Sequence, residues 1–86
     1  MGRQAGRGLR VLLSGNDLKA IQAALDGGRQ LELERSLGSL RIRVTTGRAS
    51  PVWLPYTTLA RLEIWEGSVY STKWCVSAEE VRRFGR

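Results

Sequence analysis

Side chains that could carry out catalysis are scarce in this sequence of 86 residues, which contains no histidine and one cysteine, Cys75. Nucleophile pairs with histidine cannot form, and the usual zinc sites lack their ligands. Cys75 is expected beside Lys73 on the outer side of its strand, with no base next to it to activate the thiol. Neither a P-loop nor a dinucleotide-binding glycine pattern occurs. The sequence favours a protein that is not an enzyme and holds no metal or cofactor.

Two carboxylates, Glu32 and Glu34, could act as an acid–base pair because they point to the same side of one predicted strand. Arg43 and Arg41 lie on the next predicted strand, where cross-strand ion pairs would occupy both carboxylates. Exposed pairs of this kind contribute about 0.2–1 kcal/mol each. Surface ion pairing therefore explains the four residues better than catalysis does.

Basic residues interleaved with aromatic residues give the clearest binding signal. Arg61, Trp65 and Lys73 are predicted to share the outer face of a second hairpin, with Arg61 opposite Lys73. Because like charges that face each other are unfavourable, either this register is wrong or an anionic group belongs between them. Trp65 could stack on a base or fill a pocket of a partner. The alternative is that Trp53 or Tyr56 covers Trp65.

The charge balance is strongly basic, with 14 Lys and Arg against 8 acidic residues and a net charge of +6. All the basic residues except Lys19 and Lys73 are arginine, which binds phosphate and carboxylate in a bidentate manner. Such an excess points to nucleic acid, a nucleoprotein complex or an acidic protein surface as partner. It could equally serve solubility alone.

The single cysteine precludes an internal disulfide, which agrees with a reducing compartment. No apolar run approaches the roughly 20 residues of a membrane span. The apolar run that follows the basic start, residues 9–13, is too short for the core of a signal peptide. We therefore expect a cytoplasmic protein with no membrane partner.

The clearest structural pattern is a β-hairpin over residues 29–46. Leucines alternate with Glu32 and Glu34 in its first strand, and apolar residues alternate with Arg41 and Arg43 in its second. This period of two indicates strands with one buried face. A turn at residues 37–38 would pair Leu31 with Val44, Glu32 with Arg43, Leu33 with Ile42 and Glu34 with Arg41.

Two helices are predicted from their capping signals. The first covers residues 14–28, with Ser14 and Asp17 as a capping box, and its apolar stripe is formed by Leu18, Ile21 and Leu25. Gly27-Gly28 ends it in a left-handed conformation. A second capping box at residues 77–80 begins a short C-terminal helix whose inward residues are Val81 and Phe84.

Further strands are predicted at residues 9–13, 51–54, 59–65 and 69–76. In the third of these, Ala60, Leu62 and Ile64 form the buried face. A three-residue loop at 66–68 then leads to the last strand. Its predicted buried face consists of Tyr70, Thr72, Trp74 and Val76.

These elements predict one small α+β domain over residues 9–86, preceded by a flexible basic tail at residues 1–8. Its sheet is expected to be mainly antiparallel, with four to six strands, one helix packed on it and a short C-terminal helix. The size and composition are also compatible with the small accessory proteins that phages and other mobile elements carry. The sequence does not indicate an oligomeric state.

Two functions fit these features. The first is a small basic module that binds nucleic acid or a nucleoprotein complex through Arg61, Trp65 and Lys73. The second is a protein-binding regulator or inhibitor that acts on an acidic or RNA-containing partner. The alternating charges of the first hairpin, which include Arg41 and Arg43, favour the second because they suit a charge-matched protein surface.

Overall fold

One antiparallel sheet and two helices make up the structure, a computed structural model that describes residues 12–47 and 58–84. The α+β class is confirmed, and within the described ranges the sheet has four strands, not five or six. Only Leu12 and Leu13 of the predicted strand at 9–13 are described, and they are not in a strand. The predicted tail at residues 1–8 and the predicted strand at 51–54 lie outside the described residues. The elements are α1 (Gly15–Gly27), β1 (Leu31–Leu37), β2 (Leu40–Gly47), β3 (Leu59–Glu66), β4 (Val69–Cys75) and α2 (Ala78–Phe84), with the strands side by side in chain order.

Helix α1 begins and ends where its capping signals predict. The Ser14 hydroxyl accepts a hydrogen bond from the Asp17 backbone N–H, and the Asp17 carboxylate accepts one from the Ser14 N–H, both at 3.1 Å. Gly28 ends the helix with φ 65°, a left-handed conformation that glycine adopts without a steric penalty. The capping box and the glycine stop are confirmed.

The core lies between the helices and one face of the sheet. Ile21 and Leu25 of α1 are buried, and Leu18 is partly buried against the same cluster, so the predicted apolar stripe is confirmed. Ala24 adds a further buried position. Across from them the sheet contributes Leu33, Leu40, Ile42, Val44, Ala60, Leu62 and Cys75.

Helix α2 is capped by Ser77, whose hydroxyl accepts a hydrogen bond from the Glu80 N–H at 3.2 Å. The Glu80 carboxylate reaches one residue further back than expected and accepts from the Val76 N–H at 2.9 Å. Val81 is fully buried, whereas Val76 is 56% exposed and does not join the core. The two helices are joined because the Gln22 side-chain oxygen accepts from the Ala78 N–H at 3.0 Å.

The first hairpin has the predicted buried face but a register shifted by two residues. Its turn is Gly38-Ser39, not residues 37–38, with Gly38 at φ 59° and Leu37 opposite Leu40. Leu33 therefore faces Val44, and the predicted pairing of Leu33 with Ile42 is wrong. Because side chains alternate with period two, a shift of two leaves every residue on its expected face.

The register of the second hairpin differs from the predicted one by one residue, and this shift exchanges the two faces of β4. A two-residue turn, Gly67-Ser68, replaces the predicted three-residue loop, and Gly67 has φ 61°. Glu66 then pairs with Val69, and every side chain of β4 lies on the face opposite to the predicted one. The predicted inward-facing Tyr70 is 45% exposed, and Cys75, predicted to face outward, is fully buried in the core.

Shortening a core residue tests the packing of α1 on the sheet. Ile42 is 0% exposed, so Ile42→Ala should reduce the free energy of unfolding by about 2–5 kcal/mol, and Ile42→Val by about 0.5–1.5 kcal/mol. Urea denaturation followed by circular dichroism measures both. If Ile42→Ala lowers the free energy of unfolding by less than about 0.5 kcal/mol, Ile42 is not in the core, because even the smaller change to valine in a core costs about that much.

Removing the second cap tests the C-terminal helix. Ser77→Ala deletes the acceptor of the Glu80 N–H bond and should lower the free energy of unfolding by about 1 kcal/mol. Ser36→Ala, on an exposed position of β1, is the matched control and should change stability little. Equal stability of the two variants in urea denaturation would contradict a cap at Ser77.

Candidate binding surface

Both helices pack on the same face of the sheet, and the opposite face, which we term the outer face, is covered by neither. Strand alternation determines which side chains belong to it. Arg61, Glu63 and Trp65 lie on β3, the strand between β2 and β4, and the neighbouring strands align their own outward residues with these three. The charged and aromatic side chains of the outer face are Glu32, Glu34, Arg41, Arg43, Arg61, Glu63, Trp65, Tyr70 and Trp74.

Four of the five predicted binding residues lie together on this face: Arg41, Arg43, Arg61 and Trp65. The prediction that Lys73 joins them is wrong, because Lys73 pairs with Leu62 and points to the helix side. Its Nζ lies 5.1 Å from the centre of the Phe84 ring.

The residue that faces Arg61 across the strands is Trp74, with the guanidinium carbon 6.0 Å from a ring centre. The expected repulsion between Arg61 and Lys73 therefore does not occur. Arg61 faces an aromatic ring and not a second cation, so the register does not call for an anion beside Arg61 to offset a repulsion. The observed register removes the main geometric argument for a phosphate at that position.

Glu63 is a central residue of the outer face, and it is buried, with only 7% of its surface exposed. One carboxylate oxygen accepts from Arg43 Nε at 3.0 Å, and the other accepts from the Tyr70 hydroxyl at 2.8 Å. Arg61 Nη2 lies 3.8 Å from the second oxygen. Burial by itself raises the pKa of Glu63, but the hydrogen bonds from Tyr70 and Arg43 and the nearby positive charges outweigh it, and the net pKa is lowered.

Sequence reasoning did not identify Glu63, although it placed the residue on the correct face. The residues that surround it come from both neighbouring strands, Arg43 from β2 and Tyr70 from β4. Identifying the cluster required the β2–β3 register, which joins segments separated by residues 48–57, and the β3–β4 register, which was predicted incorrectly. The available signal was a carboxylate at an outward position in the middle of a strand, two residues after Arg61.

Ion pairs connect the rest of the outer face. Arg41 Nε lies 3.5 Å from a Glu34 oxygen, and Arg43 Nη1 lies 3.7 Å from a Glu32 oxygen, so the predicted pairs form diagonally between positions that are not directly opposite. The hydrogen bond to Glu63 is the main cause of a raised pKa at Arg43. Among the described residues, three arginines and three glutamates occupy this face, and their charges balance.

Trp65 is half-buried by neighbours on its own face. The guanidinium carbons of Arg41 and Arg43 lie 4.3 and 5.3 Å from a Trp65 ring centre, and the Tyr70 ring centre lies 5.1 Å away at an interplanar angle of 44°. These distances are those of cation–π and tilted aromatic contacts. The alternative covers, Trp53 and Tyr56, lie outside the described residues.

A cleft of about 400 Å³ opens at the end of the sheet away from the two turns. Its walls include Arg61 and Trp74 of the outer face, together with Leu59, Thr45 and Glu32. An aromatic ring beside a guanidinium and an apolar floor could accept one side chain of a partner. The cleft thus extends the outer face at its Arg61 and Trp74 end.

Cys75 has the environment of a core residue. Burial is the main cause that raises the pKa of its thiol to about 11; the Glu80 carboxylate acts in the same direction, and Lys73 opposes the shift. A thiol of this kind is protonated at neutral pH and is a poor nucleophile. Among residues 12–47 and 58–84, no three His, Cys, Asp or Glu side chains cluster so as to hold a metal ion.

The basic excess is unevenly distributed along the chain. The described ranges contain nine basic and eight acidic residues, so they account for one of the six excess positive charges. The other five are arginines in the segments outside those ranges. They are Arg3, Arg7, Arg10, Arg48 and Arg86.

Comparisons with known proteins do not assign a family. No protein-family model, curated protein or solved structure matches the chain. No helix in the described ranges has the length and apolar character needed to cross a membrane. Function is therefore inferred from the outer face itself.

The lowered pKa of Glu63 predicts a specific pH dependence. A carboxylate whose pKa is depressed on folding stabilises the protein above its ordinary pKa of 4.5, and this stabilisation is lost as pH falls through the lower folded value. Glu63→Gln should therefore make the free energy of unfolding less dependent on pH below about 4.5 than in the original protein. Urea denaturation at a series of pH values from neutral to acid measures the effect.

Glu66→Gln is the matched control, because Glu66 is an exposed carboxylate of the same strand. This variant should keep the pH dependence of the original protein. If Glu63→Gln and Glu66→Gln show the same acid dependence, Glu63 does not stabilise the folded state as an ionised group.

Proposed function

We propose that this protein is a non-enzymatic binding module that docks on another protein through the outer face of its sheet and regulates or inhibits that protein. The observation that carries the proposal is the set of arginines and aromatic rings on a face that neither helix covers. Trp, Tyr and Arg are the residue types that contribute most binding energy at protein interfaces. Here they are adjacent, in one patch.

The patch is also held in position before any partner arrives. Arg43 is fixed by Glu63 and Glu32, and Arg41 is held by Glu34 while it stacks on Trp65. Side chains that are ordered in the free protein lose less conformational entropy on binding. This order supports a role in recognition for the face.

The partner class follows from the charge balance. A nucleic-acid backbone requires a surplus of cations, because its affinity comes largely from neutralising phosphates. The part of the outer face that the structure describes has no such surplus, since its three arginines are matched by Glu32, Glu34 and Glu63. A protein surface with apolar and oppositely charged groups complements such a face better.

The side chains of Arg41 and Arg61 remain 50% and 47% exposed, so they can still pair with acidic residues of the partner. Trp65 lies beside Arg41, and Tyr70 lies on the other side of Trp65, so both rings would contact its apolar residues. The partner that fits is therefore a protein whose docking site combines carboxylates with an apolar area. An acidic partner agrees with the basic charge of the whole chain.

Binding to nucleic acid or to a nucleoprotein complex is the second candidate, and the uneven distribution of arginine favours it. Five excess arginines lie in segments outside the described ranges and could contact phosphates without the outer face. In that case the aromatic rings would add stacking on bases. An RNA-containing partner could also use both surfaces.

A pull-down from the source cells distinguishes the two candidates. With the original protein as bait, the captured partner should resist nuclease treatment. Trp65→Ala should weaken its binding by about 2 kcal/mol, roughly thirtyfold, because a central aromatic side chain is lost. Lys19→Ala, on an exposed position of α1, should leave binding unchanged. Capture that nuclease abolishes, or that Trp65→Ala does not affect, contradicts docking through the outer face.

Fluorescence anisotropy with short single-stranded and duplex oligonucleotides tests the second candidate directly. Docking on a protein predicts little binding at a salt concentration of about 50 mM, where even non-specific phosphate contacts are detected. Binding that falls steeply with salt and is lost on replacing Arg3 and Arg7 by Ala would instead assign the function to the basic tail. Loss of binding in Trp65→Ala would indicate base stacking.

A further inference from the structure

The two edge strands of the sheet differ in how they are protected from pairing with another strand. Charged residues on edges discourage such pairing, and β1 has Glu32, Glu34 and Arg35 along its length. The first four residues of β4, residues 69–72, have no charge and no proline, and all four are exposed. Among residues 12–47 and 58–84, no strand covers this edge of β4, and its sequence does not discourage pairing with a further strand.

Backbone alternation shows which groups point to that edge. Glu66 and Val69 flank a two-residue turn, and such flanking residues exchange hydrogen bonds. Alternate residues of β4, starting with Tyr70, therefore direct their N–H and C=O groups away from β3. These residues are Tyr70, Thr72 and Trp74, and no strand within the described ranges pairs with them.

We propose that two copies of this chain pair through β4, antiparallel, about a two-fold axis at Thr72, and so form one continuous sheet. Thr72 is the middle residue of Val69–Cys75, so this axis pairs the whole strand with its copy. An axis at Thr72 also allows the outward backbone groups of one strand to meet those of the other. The resulting pairs are Thr72 with Thr72, Ser71 with Lys73, Tyr70 with Trp74, and Val69 with Cys75.

A second copy fits this edge because the strand is complementary to itself. Lys73, the charged residue of β4, meets a serine, so no like charges face each other. On the outer face Tyr70 and Trp74 form an aromatic pair at each end. Val69, which is 66% exposed in the single chain, acquires a neighbour. Moving the axis to Lys73 would instead place two lysines opposite each other.

The pairing is independent of the proposed docking function, although it would join two outer faces into one larger surface. Sedimentation equilibrium of the purified chain alone, at concentrations rising through the micromolar range, measures it directly. The mean mass should rise from one chain toward two. A mass that stays at one chain throughout overturns the dimer and leaves docking on a partner untouched.

Thr72→Lys tests the position of the axis, because it places two lysines opposite each other in the dimer. At low ionic strength, where their repulsion is not screened, this variant should remain monomeric. Ser36→Lys makes the same change on the outer face of the opposite edge strand, β1, and should dimerise like the original protein. A dimer that survives Thr72→Lys, or that Ser36→Lys abolishes, overturns pairing through β4.

A mixing experiment separates loss of the dimer from loss of folding. Thr72→Glu should also remain monomeric, whereas an equal mixture of the Thr72→Lys and Thr72→Glu variants should recover the dimer through opposite charges at the axis. Circular dichroism of each variant alone verifies that it is folded. If both variants fold and the mixture stays monomeric, the axis does not lie at Thr72.

Discussion

The two-residue turn at Gly67-Ser68 determines which residues this protein presents on its surface. It sets the register of β3 and β4, and a shift of one residue would exchange the two faces of β4. With the observed register, Tyr70 and Trp74 lie on the outer face, and Cys75 completes the core. The Gly67 N–H also donates to the Ser39 carbonyl at 3.1 Å, which fastens this turn to that of the first hairpin.

The same register gives the buried carboxylate of Glu63 its partners. A buried charge is costly unless hydrogen bonds and opposite charges compensate for it, and Tyr70 from β4 and Arg43 from β2 supply both. Arg43 in turn lies beside the Trp65 ring that Arg41 also contacts. Core packing on one side of β3 and an ordered polar network on the other thus depend on the same strand pairing. A shift of β4 by one residue would remove Tyr70 from the outer face and with it the hydrogen bond to Glu63.

Sequence patterns were sufficient for the local structure and insufficient for strand register. The capping box at Ser14 and the apolar alternation through Ile42 act over a few residues, so composition and spacing reveal them. The first turn lies one residue later than predicted, at Gly38-Ser39, and the second turn, at Gly67-Ser68, is one residue shorter than predicted. Propensity does not discriminate between such alternatives. The consequence was minor in the first hairpin, where a shift of two preserves the faces. In the second hairpin it placed Lys73 on the wrong face.

The reactivity of Cys75 tests the β3–β4 register most directly, because the thiol is buried in the observed register and would be exposed if β4 were shifted by one residue. Labelling of the native protein with an aromatic disulfide reagent at mildly alkaline pH should be far slower than labelling in guanidinium chloride, since the thiol is fully buried and its pKa is about 11. Equal rates in the native and unfolded protein would contradict the register and, with it, the arrangement of the outer face.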